Sequence, residues 1–379
     1  MTSRRRYLAG IGTGIVTLSS GCLGAGGSGA PNTAGDGAAD TDNGGVTGTA
    51  SGGATGTVSL LDWNYVYADG ILDRLNADTG ISVELQAAQS SAQSLSLLRS
   101  GRSDHDLVAL GNYAVPPAID EGLLQPIDLG QVPAYDGILD VVKKDYFRSD
   151  GSVYGVPRSF GQTPLAVNTD TVDDEVTSLR TLFDESYDGL LGGRDDARLQ
   201  VLYERAAAGV EPLNPTSADD IDFDRLRERL AAHVGLAGGL WSSGGSSEQL
   251  LQSGEVAIQP VWNYVISSMQ DSGVPVKRVY PDEGTKAWFI QFCIPKGAEN
   301  VEAAHRFIQE WHAGVGYESL MAPSNIAVPN ERVFEENDVE LAAFGLDDPS
   351  RFIYEEPKPQ SLIKRYAQVW SEAKSAAGA

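Results

Sequence analysis

The chain has 379 residues, 43 glycines, two cysteines and a formal net charge of −24 at pH 7. So negative a chain repels nucleic acid and anionic membrane surfaces, which excludes both as partners. Two cysteines exclude a disulfide framework and cysteine-rich metal sites.

The chain opens on an export pattern. Ser3-Arg4-Arg5-Arg6-Tyr7-Leu8 reads as a twin-arginine signal, and an uncharged run follows from Leu8 to Ser20, ending at Gly21-Cys22. That run is too short and too glycine-rich to stay as a membrane span, which needs roughly 20 apolar residues. Residues 1–21 are therefore read as a signal peptide, and Cys22 as the lipidated first residue of the mature chain. Lipid on Cys22 places the protein on the extracellular face of the cell membrane. An ordinary secreted protein with a stray Cys22 is the alternative. Loss of Arg4, Arg5 and Arg6 with the signal leaves a charge of −27. Residues 22–57 are almost entirely Gly, Ala, Ser, Thr, Asp, Asn and Pro. Such a segment buries no apolar face and reads as a disordered tether spanning ~30 Å.

The folded part is expected from residue 58 to the end. Residues 58–63 read as a strand, 69–79 as an amphipathic helix, 81–85 as a strand, 92–100 as a helix and 106–110 as a short apolar strand. This β-α-β-α-β order predicts a parallel sheet with right-handed crossovers. Ligand sites in such sheets lie beyond the carboxyl ends of the strands. Those ends are Trp63-Asn64-Tyr65-Val66-Tyr67 and Gly111-Asn112-Tyr113, two clusters rich in aromatics. Further along, 164–168 reads as a strand, 179–183 as a helix start, and 198–208 and 223–234 as helices. Residues 253–259 read as a strand entering Pro260-Val261-Trp262-Asn263-Tyr264. Residues 288–294 form another strand, 301–314 a helix, and 357–376 contain the last one. Cys293, inside an apolar strand, reads as a small core residue. Trp311 reads as core; Trp241, before Ser242-Ser243-Gly244-Gly245, as core or cleft wall.

Enzyme signatures are missing. The four histidines, His105, His233, His305 and His312, make no H-x-x-x-H pair, and there is no G-x-S-x-G elbow or G-x-x-x-x-G-K-[ST] loop. Gly193-Arg194-Asp195-Asp196 before a helix is no phosphate cradle, because its acids repel the anion. No Tyr-Tyr pair supports ferric-ion binding. No metal and no cofactor is expected.

An ordered series of short motifs carries a resemblance. It runs through Leu61-Asp62-Trp63-Asn64-Tyr65, Asp106-Leu107-Val108 with Asn112-Tyr113, Glu121-Gly122-Leu123-Leu124-Gln125-Pro126-Ile127, and Val153-Tyr154-Gly155-Val156-Pro157 with Leu165-Ala166-Val167-Asn168. It continues through Asp195-Asp196-Ala197-Arg198, Gly254-Glu255-Val256 with Trp262-Asn263, Pro281-Asp282-Glu283-Gly284 with Trp288, and Ala327-Val328-Pro329-Asn330. Over nearly the whole folded part the chain resembles the extracellular solute-binding proteins of ABC transporters, in particular the spermidine/putrescine-binding group. Its basic residues, 20 Arg against 8 Lys, and its acidity resemble proteins of extreme halophiles. There, multimolar salt cuts the Debye length to ~3 Å and screens self-repulsion.

The resemblance implies an α/β, two-lobe fold of the type II periplasmic-binding-protein kind, with a ligand cleft between lobes. By analogy lobe one comprises 58–163 plus 289–335, and lobe two 164–288 plus 336–379. The chain is expected to cross between them near 161–167 and 288–294. It further implies no enzyme activity and a monomer that hands a small-molecule ligand to an ABC permease. The ligand-facing residues would be Trp63, Tyr65, Asn112, Tyr113, Arg158, Asp196, Trp262, Tyr264 and Trp288. Aromatic faces hold cations and pack alkyl chains, which suits a polyamine-like or other amine. Asp196 matches a carboxylate that grips an amine in the family. Leu199 and Ile290 stand where polyamine binders carry a glutamate and an aspartate. Arg158 stands where they carry an aromatic residue. It either clamps a carboxylate or phosphate, making the ligand a zwitterion or small anion, or forms a surface ion pair. A surface sensing or adhesion protein without a transport role, and an exported hydrolase, are the readings from other classes.

Overall fold

The computed structural model describes residues 56–378; the segments read above as signal peptide and tether, with Cys22, fall within residues 1–55 and lie outside them. The first expected motif is present. Strands Gly56–Asp62, Ile81–Ala87 and Leu107–Gly111 are parallel, joined by helices Ile71–Thr79 and Ser91–Arg99. Ser90 starts the second helix by accepting the N–H of Gln93.

These strands form one side of a seven-stranded sheet whose spine is the long strand Thr285–Pro295. That strand runs antiparallel to Leu107–Gly111 and Val156–Thr163, and parallel to Phe352–Tyr354. A five-stranded sheet takes the order Ala237–Trp241, Leu191–Arg194, Ile258–Pro260, Leu165–Asn168, Val276–Val279. Only Pro164 separates Val156–Thr163, in the first sheet, from Leu165–Asn168 in the second, so the chain passes between sheets inside the expected stretch. The return passage is at 280–284. It precedes the expected 288–294, because Thr285–Pro295 pairs along its length with first-sheet strands. Phe352–Tyr354, which the resemblance allots to lobe two, is likewise bonded into the first sheet.

Each sheet has its own buried core. Val58, Leu60, Leu107, Phe289, Phe292 and Trp311 belong to one continuous cluster around the first sheet. Cys293 is part of it, fully buried. Leu165, Val167, Leu191, Leu199 and Ile258 pack within the second. The terminal helix Gln360–Ala377 buries Leu362, Tyr366, Val369 and Trp370 against Leu226, Leu230 and Val234 of helix Phe223–Leu236. Burial of such side chains contributes on the order of 2 kcal/mol each.

Several elements differ from their expected form. Residues 253–257 are the end of helix Gly244–Ser253 and a turn, and the strand is only Ile258–Pro260. Ser243 caps that helix in a reciprocal capping box with Ser246, a signal masked by the flanking glycines. The expected 301–314 helix is α-helical over Val301–Glu310 and continues as wider π turns over Trp311–Val315.

Candidate functional site

The site forms where both sheets end their strands. On the first side, the buried Asp62 closes strand Gly56–Asp62 and organises the turn after it. Its carboxylate accepts the N–H of Trp63 and the O–H of Tyr67, both at 2.7 Å. Burial pushes the Asp62 carboxyl up, and Arg158 offsets this only in part. The chain then turns through a short 3-10 helix, Asn64–Val66, leaving the Tyr65 side chain projecting. At the neighbouring strand end, the Gly111 N–H donates to Ser91 Oγ and the Asn112 side chain donates to the Glu355 carbonyl.

Arg158 lies on Val156–Thr163 and is 2 % exposed, so the surface ion pair considered for it does not form. Its guanidinium sits between the Trp63 and Trp311 rings, 5.8 and 6.0 Å from their centroids. The nearest carboxylate oxygen, Asp62 Oδ2, is 3.6 Å from Nε, beyond a proper hydrogen bond. Arg158 Nε and Nη1 have no hydrogen-bond partner within the protein. Trp288 projects from Thr285–Pro295 flat across Gly161. A Cβ at Gly161 would come within 2.0 Å of the indole, so only glycine fits there.

On the second side, Asp196 caps helix Ala197–Ala208 by accepting the N–H groups of Arg198 and Leu199. The same carboxylate stands 3.4 Å from Arg194 and 3.6 Å from Arg198. Burial would raise its pKa, but Arg198, Arg194 and Lys286 outweigh that and hold it well below the usual range. Arg198 stacks on the Tyr113 ring at 3.6 Å and reaches within 3.8 Å of Glu355. Lys286 Nζ bonds Glu355 Oε2 at 2.8 Å. Glu355 is fully enclosed, yet Lys286 and Arg198 overcome the burial and bring its carboxyl down to about 2. Arg194 lies 4.8 Å from the Trp262 ring centroid. Trp262 stacks on Tyr264 at 5.7 Å, and Tyr264 faces Tyr65 from the first side at 6.4 Å.

These side chains enclose a cavity of about 310 Å³, at the small end of the range for small-molecule sites. Trp63, Tyr65, Asn112, Tyr113, Arg158, Trp262, Tyr264 and Trp288 all line it. Asp196 is the one expected residue absent from the lining: its carboxylate is turned to its own helix and to the two arginines. Ser242 lines the cavity, whereas Trp241 is core. Sequence reasoning missed Arg194, Arg198, Lys286 and Glu355, all in the lining. For Arg194 and Arg198 the signal was available: both flank Asp195-Asp196 at a strand-to-helix junction.

Residues 70–343 match the model of the bacterial extracellular solute-binding protein family. The chain belongs to that family. Among curated relatives of this solute-binding protein is spermidine/putrescine-binding periplasmic protein 1 of Haemophilus influenzae. It is 27 % identical over 287 residues, covering 72 % of this chain and 78 % of the relative. The spermidine/putrescine-binding periplasmic protein of Escherichia coli is 26 % identical over 254 residues, 65 % and 70 % of the two chains. Among solved structures, the spermidine/putrescine substrate-binding protein PotD of Streptococcus pneumoniae superposes with a TM-score of 0.74. It is 18 % identical and covers 85 % of this chain and 99 % of that one. The fold is thus the α/β periplasmic-binding-protein fold, and the solute-binding protein is not an enzyme. Among the described residues, no helix is long and apolar enough to cross a membrane.

Proposed function

We propose that this chain is the extracellular, lipid-anchored solute-binding component of an ABC importer, and that its solute carries a carboxylate or similar anionic group held by Arg158. The two sheets act as the cores of two lobes, broadly 58–163 with 285–335 and the strand 352–354, and 164–284 with the terminal helix. They close on the solute in the aromatic-lined cavity. Free energy for closure comes from contacts the ligand makes on both sides at once. The tether starting at Cys22 keeps the loaded protein near its permease, and the protein works as a monomer. Replacing Cys22 by Ser should release it from the membrane fraction into the medium. Retention on the membrane would argue against the anchor.

One observation carries the anionic ligand. The cavity is lined by four cationic side chains, Arg158, Arg194, Arg198 and Lys286, against the single carboxylate of Glu355. Glu355 is itself taken up by Lys286. An ammonium entering this site meets cations and finds no free carboxylate, whereas a carboxylate meets a desolvated arginine able to grip it bidentately. The aromatic walls pack the ligand's carbon skeleton.

A polyamine is the second reading. It is supported by the names of the relatives and by ring faces that suit cations. A thermal-shift screen of the mature protein in multimolar salt separates the two. A ligand at 100 times its dissociation constant adds ~2.7 kcal/mol. Stabilisation by small organic anions or zwitterions is expected. Stabilisation by polyamines alone would overturn the anionic reading.

A further inference from the structure

The charge of the lining says that an anion enters; the hydrogen-bond inventory says more about its shape. Four buried nitrogens of cavity-lining side chains lack partners: Arg158 Nε and Nη1, Arg198 Nη1 and Trp288 Nε1. All four are donors only. Among groups that also accept, the unpartnered Ser159 Oγ is a hydroxyl and serves either role. An ammonium brings three further donors and leaves these four nitrogens without an acceptor. The lining's one carboxylate, Glu355, is bonded to Lys286, and its backbone carbonyl accepts the Asn112 amide.

The donors fall into separate places. Arg158 is set among Asp62, Trp63 and Trp311. Arg198 is set among Tyr113, Asp196 and Glu355. The two neighbourhoods share no residue. Arg158 comes from a strand of the seven-stranded sheet, Arg198 from a helix beside the five-stranded one. A single carboxylate satisfies one of these poles and leaves the other with a buried donor that has no hydrogen bond, which is costly.

We infer that the cavity's occupant is an organic anion with acceptor groups at two ends and no ammonium, the simplest being an α,ω-dicarboxylate. One end engages Arg158 and the other Arg198, with Trp288 donating a further bond and the aromatic rings flanking the carbon chain. This rests on the preceding reading that the solute is anionic, and deepens it by naming the ligand class. Bridging the two sheets in this way also gives closure its dependence on the second end group.

The test uses four-carbon chains that differ only in their ends: succinate, butyrate, γ-aminobutyrate and putrescine, together with their six-carbon homologues. Calorimetric titration of the mature protein measures each. The inference predicts that a dicarboxylate binds about tenfold or more tighter than the matched monocarboxylate, and that the diamines give no heat. Arg198→Gln should erase the difference between dicarboxylate and monocarboxylate. Because Arg198 also pairs with Asp196, Trp288→Phe is the second variant. It keeps the ring, removes the N–H, and should weaken dicarboxylates severalfold. Equal affinity of mono- and dicarboxylates overturns the inference but leaves the anionic reading standing, as does tightest binding by the amino acids. Binding by the diamines alone, or silence across the panel, overturns both.

Discussion

The two sides of the cavity hold arginines in opposite conditions. On the five-stranded side, Arg194 and Arg198 share the carboxylate of Asp196, and Arg198 also approaches Glu355, which is bonded to Lys286 at the edge of the seven-stranded sheet. Within the seven-stranded sheet, Arg158 is more deeply buried and faces Asp62 from 3.6 Å, with two nitrogens unpartnered. Asp62 spends its own hydrogen bonds on the Trp63 N–H and the Tyr67 O–H. The contrast teaches which charges are scaffold and which are free for a ligand. Charge pairing and open donors are separate: Arg194 is held by Asp196, Arg198 is paired yet keeps Nη1 without a hydrogen bond, and Arg158 keeps both Nε and Nη1 open for a charge-assisted bond.

The largest effect that could break this contrast is on folding. Asp196→Ala removes a helix cap and leaves two arginines without their shared partner. We expect a loss of about 3 to 5 kcal/mol, read as a large drop in the thermal midpoint. An unchanged midpoint would mean that the paired side is not scaffold.

Next in size is a pH effect in the same cluster of paired charges. Glu355 is held down to about 2 from an ordinary 4.5. A depressed carboxylate contributes stability above its unfolded value and loses it as the pH falls toward the folded one. Stability on the order of 3 kcal/mol should therefore fade between about pH 4.5 and 2. Denaturant melts of wild type and Glu355→Gln across that window check it, the variant showing the shallower slope.

Gly161→Ala sharpens the comparison from the open side. The added methyl strikes the Trp288 indole and forces it off the strand. Overpacking of this kind costs about 1 to 3 kcal/mol. Because the displaced ring enters the cavity, ligand affinity should fall as well. Preserved affinity with lowered stability would take Trp288 out of the ligand-facing set. The smallest effect belongs to Tyr65, 55 % exposed and stacked on Tyr264. Tyr65→Ala should cost ~0.5 to 1.5 kcal/mol in binding and leave the thermal midpoint nearly unchanged.

Distance along the chain decided how much was legible in the sequence. The β-α-β-α-β half was readable because apolar periodicity is local, and because two of its three strands stop at a visible aromatic cluster, Trp63 to Tyr67 and Asn112-Tyr113. Val156–Thr163 was not read as a strand because Pro157 and Gly161 look like breakers. Gly161 is there because Trp288, on the partner strand, lies across it. Arg158 stood out as a departure from the resemblance, but whether it faced the cavity depended on Trp63 and Trp311, far off in sequence. Lys286 and Glu355 gave no local signal at all. They meet because Lys286 pairs with Ile353 in the sheet, bringing residues nearly seventy positions apart to one edge. Asp196 was legible as a charged residue at a helix start. Its partners, Arg194 and Arg198, were as close in sequence, and they turn a carboxylate matching an amine grip into a helix cap.

The most direct measurement is the affinity of wild type and Arg158→Gln for a small carboxylate and for spermidine, with thermal midpoints recorded to confirm folding. Removing the open cation should weaken carboxylate binding by about tenfold or more, and leave spermidine without measurable affinity in both proteins. Tight spermidine binding by wild type, unchanged or improved in the variant, would contradict the account.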